Sequence, residues 1–331
     1  MSAASGSRAA KSGTGKSGTG ENGTGGRGRI AERTFSHRLK VWIANPWGHP
    51  RFLVIVAWAY VLISIVPVIV AVQFSFNAGR SVTVWQGFDL TKWYFSEPAY
   101  SVWHDPRLQH ALFQSLKLAG LDMLIATPLG VLLAIGLARW RGPLASASNF
   151  IMLFPLVTPE LMMGVALFLV FLNLFKFIPP STTAQVLGHV TFSLSYVVVI
   201  VRGRLFSIGK QYEEAAADLG ATPWECLRLV LLPLLLPAIF SSLMMVFAIS
   251  IDDFVISQWL SCGSDCDTVP IRVYSSTRGA PLPSINALAA IMVYMTLSAI
   301  GVAWLVHKFM TRGERPEGRG GMMQNMGGFD M

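Results

Sequence analysis

Long apolar stretches dominate the chain between residues 52 and 306. Four contain no Asp, Glu, Lys or Arg: 52–79, 177–201, 229–251 and 279–306. Two more, 118–138 and 142–175, each contain a single acid, Asp122 and Glu160 respectively. A helix needs about 20 apolar residues to cross the hydrocarbon core of a bilayer. The pattern therefore predicts six membrane-spanning helices, at 52–76, 111–138, 149–174, 184–202, 234–259 and 284–308.

The fold class predicted from this pattern is an all-α integral membrane protein. The alternation of apolar and polar residues that is typical of a membrane β-barrel is missing from the sequence, and a lipid-exposed helix satisfies its own backbone hydrogen bonds. Pro155 and Pro159 predict a break in the third helix. We expect a cytoplasmic tail over 1–50, a transmembrane domain over 51–310 and a second, flexible cytoplasmic tail over 311–331.

Composition and charge support a membrane protein. The 331 residues are 53% hydrophobic and 13% charged, whereas soluble domains carry about 25% charged residues. If the amino terminus is cytoplasmic, 19 of the 26 Lys and Arg residues fall on cytoplasmic segments. The positive-inside rule then predicts that both termini are cytoplasmic in a multi-pass cell-membrane protein. The net charge of +8 is explained by topology, and we predict no nucleic-acid partner. The Gly-, Ser- and base-rich first 50 residues predict a disordered tail.

The loop between the fourth and fifth predicted spans has strong helix-terminus signals. Residues 213–219 predict a short helix with acids in its first turn. Gly220 suits the left-handed position that follows a helix. Thr222, Pro223 and Glu225 then predict a capped second helix that leads into the fifth span. A helix this short is marginal alone, so we expect it to be held by docking against another protein.

The same loop resembles the EAA loop of ABC importer permeases, over the segment 203–233. The family pattern is EAA, three residues, G, nine residues, I, one residue, LP. This chain matches it at Glu214, Ala215, Ala216, Gly220, Leu232 and Pro233, with Val230 in place of Ile. The resemblance implies a type I ABC importer permease fold, also called MetI-like, in which these residues couple the chain to a cytoplasmic ATPase. An ordinary helical hairpin is the alternative interpretation.

Other segments resemble the spermidine/putrescine permeases of the PotC and PotI type. They are 74–77, 85–88, 92–94, 189–192, 250–253 and 285–289. The likeness covers about residues 52–310. It implies that the chain is one of two permease subunits, forming a hetero- or homodimer, in a polyamine importer. The further partners implied are an ABC ATPase dimer, an extracytoplasmic solute-binding protein and the lipid bilayer.

Acids within the spans are the candidate substrate ligands. A carboxylate in the membrane costs a few kcal/mol, so it usually faces a partner or a cavity. The sequence places no Lys or Arg deep in a span, which favours a cationic substrate such as a polyamine, with aromatic rings adding cation–π attraction. The resemblance implies that the substrate path includes Trp93, Glu160, Ser250, Asp252 and Asp253.

Each of these residues also has a structural interpretation. Asp252 and Asp253 could cap a helix end or pair with the partner subunit, and Glu160 could bond to a neighbouring helix. Trp93 could be an interfacial anchor. Asp122 and His189 are interpreted as structural, because no motif supports Asp122 and His189 lies in an apolar span.

The remaining chemistry of the sequence is sparse. Cys262 and Cys266 could form a disulfide in an outer loop or remain thiols, and Cys226 is expected to be inert. We predict no catalytic residue, no metal site and no cofactor in this chain, and ATP hydrolysis on a separate subunit. Alternative functions are a permease for another cationic or neutral solute, such as thiamine or ferric ion, and a membrane enzyme or channel unrelated to ABC transport.

Overall fold

A computed structural model describes residues 51–139, 143–279 and 283–310. The predicted tails, 1–50 and 311–331, lie outside the described residues. Two compact units divide the chain, residues 1–65 and residues 66–331. The described part of the first unit is the beginning of helix α1, and the other helices belong to the second.

The part of the chain that the structure describes is helical, with one isolated bridge between Asn77 and Phe88. Its α-helices are α1 (Arg51–Phe74), α2 (Pro106–Arg139), α3 (Pro143–Val157), α4 (Glu160–Asn173), α5 (Thr182–Ile208), α6 (Gln211–Asp218), α7 (Pro223–Glu225), α8 (Leu232–Asp252), α9 (Val255–Trp259), α10 (Val269–Thr277) and α11 (Pro283–Met310). Short π-helical segments at Lys92–Ser96 and Cys226–Leu231 and a 3-10 turn at Ser264–Cys266 complete the elements.

Within the described ranges, five helical segments are long and apolar enough to cross a membrane, and α3 with α4 makes a sixth if the bent pair counts as one crossing. This confirms the predicted all-α membrane fold, with the predicted six spans when the bent pair is counted as one. Helix α7, the second π-segment and α8 form one continuous span, Pro223–Asp252.

Two predicted helices differ from the observed ones. The third span is not a single helix over 149–174, because the chain bends by 110° between Val157 and Glu160. Pro155 lies within α3 and Pro159 lies at the bend. The helix is interrupted there because proline lacks the N–H that would continue the helical hydrogen bonds. The fifth span ends at Asp252 rather than at residue 259, and Val255–Trp259 forms the separate helix α9.

The central core lies between α2, α5 and α8. Its fully buried side chains include Ala126, Ala134, Val197, Val201, Leu235 and Val246. Helices α2 and α5 approach closely at Gly130, where an added Cβ atom would lie 2.6 Å from Val197 Cβ. Small residues allow such close backbone contact between membrane helices. This packing fixes α5 and α8 relative to each other and so positions the polar side chains that they carry.

A second core cluster joins the segment after α1 to the first turns of α2 and to α10 and α11. It consists of Trp93, Val102, Leu108, Ala111, Val269, Ala287 and Leu288. The indole Nε1 of Trp93 donates to the Asn77 carbonyl oxygen at 2.6 Å. This bond satisfies the polar atom of an otherwise apolar ring that has no exposed surface.

Candidate functional site

The junction between α8 and α9 carries two adjacent acids. Helix α8 ends at Asp252, and Asp253 is extended, with φ −65° and ψ 122°. The Asp253 carboxylate accepts from the N–H of Ser257 at 2.7 Å and from the N–H of Ile256 at 3.3 Å. It therefore satisfies amides in the first turn of α9, which have no partner within the helix.

Glu160 reaches the same junction from the start of α4. The bend before Glu160 turns this residue away from the axis of α3, and its carboxyl group is a hydrogen-bond neighbour of Asp253. Glu160, Asp252 and Asp253 line one cavity of about 420 Å³, which we call the acidic cavity. Three of the five predicted substrate-path residues are thus brought together, although they come from positions about 90 residues apart.

The wall of the acidic cavity combines negative charge with aromatic surface. Phe192, Tyr196 and Phe254 also line it, and the rings of Phe192 and Tyr196 make an edge-to-face contact at 5.3 Å. None of its described lining residues is Lys or Arg. Carboxyl groups in contact repel each other when both are ionised, so they bind a proton or a cation between them. The cavity can therefore hold a positively charged group against an apolar wall.

Ser250 does not line the acidic cavity. It contacts His189, a residue that the sequence alone did not indicate as part of the site. Its Oγ is 2.7 Å from Nδ1 of His189, and the other ring nitrogen, Nε2, is 2.9 Å from Ser257 Oγ and 3.2 Å from Asp253 Oδ2. His189 is buried. The spacing of polar residues could have indicated this polar helix face. In an otherwise apolar span they recur every three or four positions, at Thr182, Gln185, His189 and Ser193.

Asp122 is buried on α2, where Ser193 Oγ donates to its Oδ2 at 2.7 Å. Within the described residues its Oδ1 has no hydrogen-bond partner. Asp122 does not line the acidic cavity, which agrees with its structural interpretation.

Trp93 lies in the second core cluster and is not among the residues that line the acidic cavity. Its ring is enclosed by its own chain, so it is a buried anchor in this structure. A substrate-path role for Trp93 stays a prediction without support from this arrangement.

The loop between α5 and α8 forms two short helices joined by a tight turn, and we call residues 211–225 the elbow. Gly220 has φ +83°, a conformation that glycine adopts without strain. The N–H of Gly220 donates to Ala217 O at 2.9 Å and the N–H of Ala221 donates to Ala216 O at 3.0 Å. These two bonds make a Schellman motif, as the position of Gly220 predicts.

The second half of the elbow has the predicted capping box. The N–H of Glu225 donates to Thr222 Oγ1 at 3.3 Å, and the N–H of Thr222 donates to Glu225 Oε2 at 2.8 Å. Pro223 occupies the first helical position. The chain then continues through the π-segment into α8, where Leu232 is half-buried and Pro233 is exposed.

The elbow presents a mixed acidic and apolar surface. Glu214 and Ala215 are exposed, and Leu219 and Trp224 are 89% and 68% exposed. Ala216 is buried instead, so it packs within this chain rather than offering a contact surface. Glu213 forms an ion pair with Arg139 at the end of α2, which ties the elbow to the central core.

The loop after α9 contains a disulfide between Cys262 and Cys266, with a Cα–Cα distance of 5.3 Å. This resolves the two alternatives for these cysteines, and Cys226 is a free thiol. Nearby, burial raises the pKa of Asp267, while the charge of Arg272, 3.6 Å away, opposes that shift. The disulfide closes only a small loop and does not contribute a lining residue to the acidic cavity.

Comparison with known proteins places the chain in a family. The family described as binding-protein-dependent transport system inner membrane component matches residues 126–313. The putrescine transport system permease protein PotI of Escherichia coli strain K12 is 34% identical over 281 residues, which are 82% of this chain and 94% of that protein. The spermidine/putrescine transport system permease protein PotC of Haemophilus influenzae is 34% identical over 251 residues, 76% of this chain and 93% of that protein.

A solved structure shares the fold at lower sequence identity. A chain of a bacterial ABC transporter involved in the import of the acidic polysaccharide alginate has a TM-score of 0.62 and 14% identity, covering 86% of this chain and 100% of that chain. The predicted ABC importer permease fold is confirmed. The protein is a transport subunit rather than an enzyme, and it belongs to the family of inner membrane components of binding-protein-dependent transport systems.

Proposed function

We propose that this chain is a permease subunit of an ATP-driven importer of polyamines such as putrescine and spermidine. The observation that carries the proposal is the acidic cavity, in which Glu160, Asp252 and Asp253 meet and no described lining residue is Lys or Arg. The names of the relatives PotI and PotC point to the same substrates.

The chemistry of the cavity suits an alkyl chain with an ammonium group at each end. An ammonium group placed between Glu160 and Asp253 relieves the repulsion of these two carboxyl groups and forms charge-assisted hydrogen bonds. Asp252 is exposed to the cavity and can take a second ammonium group. The rings of Phe192 and Tyr196 can cover the methylene chain and attract its charged ends.

Thiamine, ferric ion and neutral solutes are the alternative cargoes within the same family. A neutral solute would leave three carboxyl groups without a countercharge, and ferric ion would gain nothing from the aromatic wall. A polyamine uses both features. A channel or membrane enzyme has no support from the family.

Coupling to ATP hydrolysis is proposed to run through the elbow. The exposed Glu214, Leu219 and Trp224 offer acidic and apolar groups to a cytoplasmic ATPase, and the Schellman motif and capping box hold the backbone in one shape. The turn in this shape depends on Gly220. The elbow is connected to α8 through Leu232 and Pro233. Exposed apolar side chains rimmed by charged ones, such as Leu219 and Trp224 in this acidic segment, are typical of an interaction site.

The complete transporter is proposed to contain this chain, a second permease subunit, an ABC ATPase dimer and an extracytoplasmic solute-binding protein in a lipid bilayer. Both termini and the elbow would face the cytoplasm, as the distribution of Lys and Arg predicts. The acidic cavity then lies toward the outer end of α8, on the side from which the binding protein would deliver its ligand.

The test is transport by the reconstituted complex. Proteoliposomes that contain both permeases and the ATPases are supplied with binding protein and radiolabelled putrescine, spermidine or thiamine, or radioactive ferric ion. We expect ATP-dependent uptake of the two polyamines, and no uptake when ATP is omitted. Uptake of thiamine or iron without uptake of either polyamine would refute the substrate assignment.

A further inference from the structure

Helix α5 carries a stripe of polar side chains through the middle of the protein. Gln185 and His189 lie on it one turn apart, and both are buried. Gln185 Nε2 donates to the carbonyl oxygens of Ser257 and Cys266, each at 3.0 Å, and Gln185 Oε1 accepts from Gln114 Nε2 at 3.0 Å. The stripe therefore connects α5 to α2 and to the segment that follows α8.

His189 is the member of this stripe that contacts the acidic cavity. Its Nε2 lies 3.2 Å from Asp253 Oδ2 and 2.9 Å from Ser257 Oγ, and its Nδ1 lies 2.7 Å from Ser250 Oγ. A carboxylate can only accept, so the ring form that bonds to Asp253 carries its proton on Nε2. In the neutral form Nδ1 then accepts from the Ser250 hydroxyl, and both nitrogens are satisfied.

The two carboxylate oxygens of Asp253 have different partners. Oδ2 accepts from the Ser257 N–H at 2.7 Å and faces His189 Nε2. Oδ1 accepts one longer bond, at 3.3 Å, from the Ile256 N–H. A carboxylate oxygen has two lone pairs, so Oδ1 keeps the larger share of unused acceptor capacity for the cavity.

We propose that His189 is a positioning residue for substrate binding. By holding Oδ2 of Asp253, it fixes the carboxylate so that Oδ1 is presented to Glu160 and to the ammonium group of the cargo. This inference rests on the function proposed above. It differs from a purely structural role, in which His189 would only fill and stabilise the contact between α5 and α8.

The test exploits the two ends of the imidazole ring. The amide nitrogen of Gln reaches about as far as Nε2, and that of Asn about as far as Nδ1. His189→Gln can therefore keep a donor toward Asp253, whereas His189→Asn can keep a partner for Ser250 and leaves Asp253 with only its backbone N–H donors. Each variant is placed in the complete complex, and equilibrium binding of radiolabelled putrescine to the purified complex without binding protein is measured.

We expect His189→Gln to bind putrescine within about threefold of the unmodified complex, and His189→Asn to bind about tenfold more weakly, since a hydrogen bond to a charged group is lost. Ser193→Ala is the matched control, because Ser193 lies on the same stripe but bonds to Asp122 rather than to Asp253. It should reduce the yield of assembled complex without changing the affinity of what assembles.

Equal affinity of the Gln and Asn variants, with both reducing assembly as Ser193→Ala does, would overturn the positioning role.

A second measurement does not depend on the cargo: the ring ¹⁵N resonances of His189 in the ¹⁵N-histidine-labelled complex. Asp253→Asn should shift the Nε2 resonance, and Ser193→Ala should not. If the unmodified complex fails to bind or transport polyamines, the proposed function fails, and this resonance still decides whether His189 holds Asp253. An unshifted Nε2 resonance in Asp253→Asn would overturn the inference.

Discussion

The elbow and the acidic cavity lie toward opposite ends of the continuous span Pro223–Asp252, and they are built in different ways. In the elbow, each turn-forming bond joins residues no more than five positions apart. In the polar stripe behind the cavity, the bonds of Gln185, His189 and Ser193 join residues 61 to 81 positions apart. The elbow is therefore a local structure that its own sequence can specify, whereas the cavity exists only once α4, α5 and α8 have packed.

This difference implies that the two regions respond differently to substitution. A change on the elbow surface should leave the fold intact and remove an external contact. A change in the cavity should alter cargo binding through charges that several helices have brought together.

The largest effect is expected from Leu219→Asp on the elbow. Leu219 is 89% exposed, and in the proposed interface it would be a buried anchor; a loss of about 2 kcal/mol in binding, typical of such an anchor, lowers uptake about 30-fold. The measurement is putrescine uptake together with co-purification of the ATPase on tagged permease. Leu219→Met, which keeps an apolar side chain, is the control and should retain both activities.

Membrane insertion of Leu219→Asp should remain normal, because the side chain makes few contacts within its own chain. Normal uptake and ATPase recovery in Leu219→Asp would show that the ATPase docks elsewhere.

A smaller effect is expected from Asp252→Asn in the acidic cavity. Removing one charge from a group of three weakens cargo binding by about tenfold, the usual cost of one charge-assisted contact, and leaves assembly unchanged. Equilibrium binding of putrescine to the purified complex measures this loss. Asp265→Asn removes an exposed acid in the loop after α9 and should bind putrescine normally.

If both variants lose the same affinity, the effect of Asp252 belongs to the general negative charge of this end of the protein and not to the cavity. The cavity would then not be a specific binding site for the cargo, and the contrast with the elbow would fail.

The smallest effect is expected from Thr222→Ala, which removes the side-chain half of the capping box. The loss is about 1 kcal/mol of local helix stability, so uptake should decrease by about fivefold at most. Thr222→Ser keeps the hydroxyl and should behave as the unmodified chain does. A complete loss of uptake in Thr222→Ala, equal to that of Leu219→Asp, would mean that the hydroxyl itself contacts the ATPase.

The sequence predicts the elbow well because its signals are local. Gly220, Thr222 and Glu225 each specify a backbone geometry within one turn of the chain, and the structure has that geometry. The exception is Ala216, which is buried. The identity of the residue does not indicate which side of so short a helix faces the protein.

The cavity could be predicted only in part. Glu160, Asp252 and Asp253 stand out as acids in apolar segments, but nothing in the sequence states that the bend before α4 brings them to one place. His189 was interpreted as a packed residue because its partners Ser250 and Ser257 are 61 and 68 positions away. The fifth span was predicted too long, since Val255–Trp259 contains no charged residue and only the capping bonds of Asp253 reveal the break.

The unbroken path from Pro223 to Asp252 has a mechanical consequence. These 30 residues extend over about 45 Å at ~1.5 Å per residue, and the backbone passes Pro237 without leaving the helix. A rigid helix of this length tilts as one body, so a displacement at one end moves the other end unless the helix pivots there. Docking of the elbow, as proposed above, would therefore couple the orientation of the elbow to the gap between the carboxyl groups of Asp252 and Glu160.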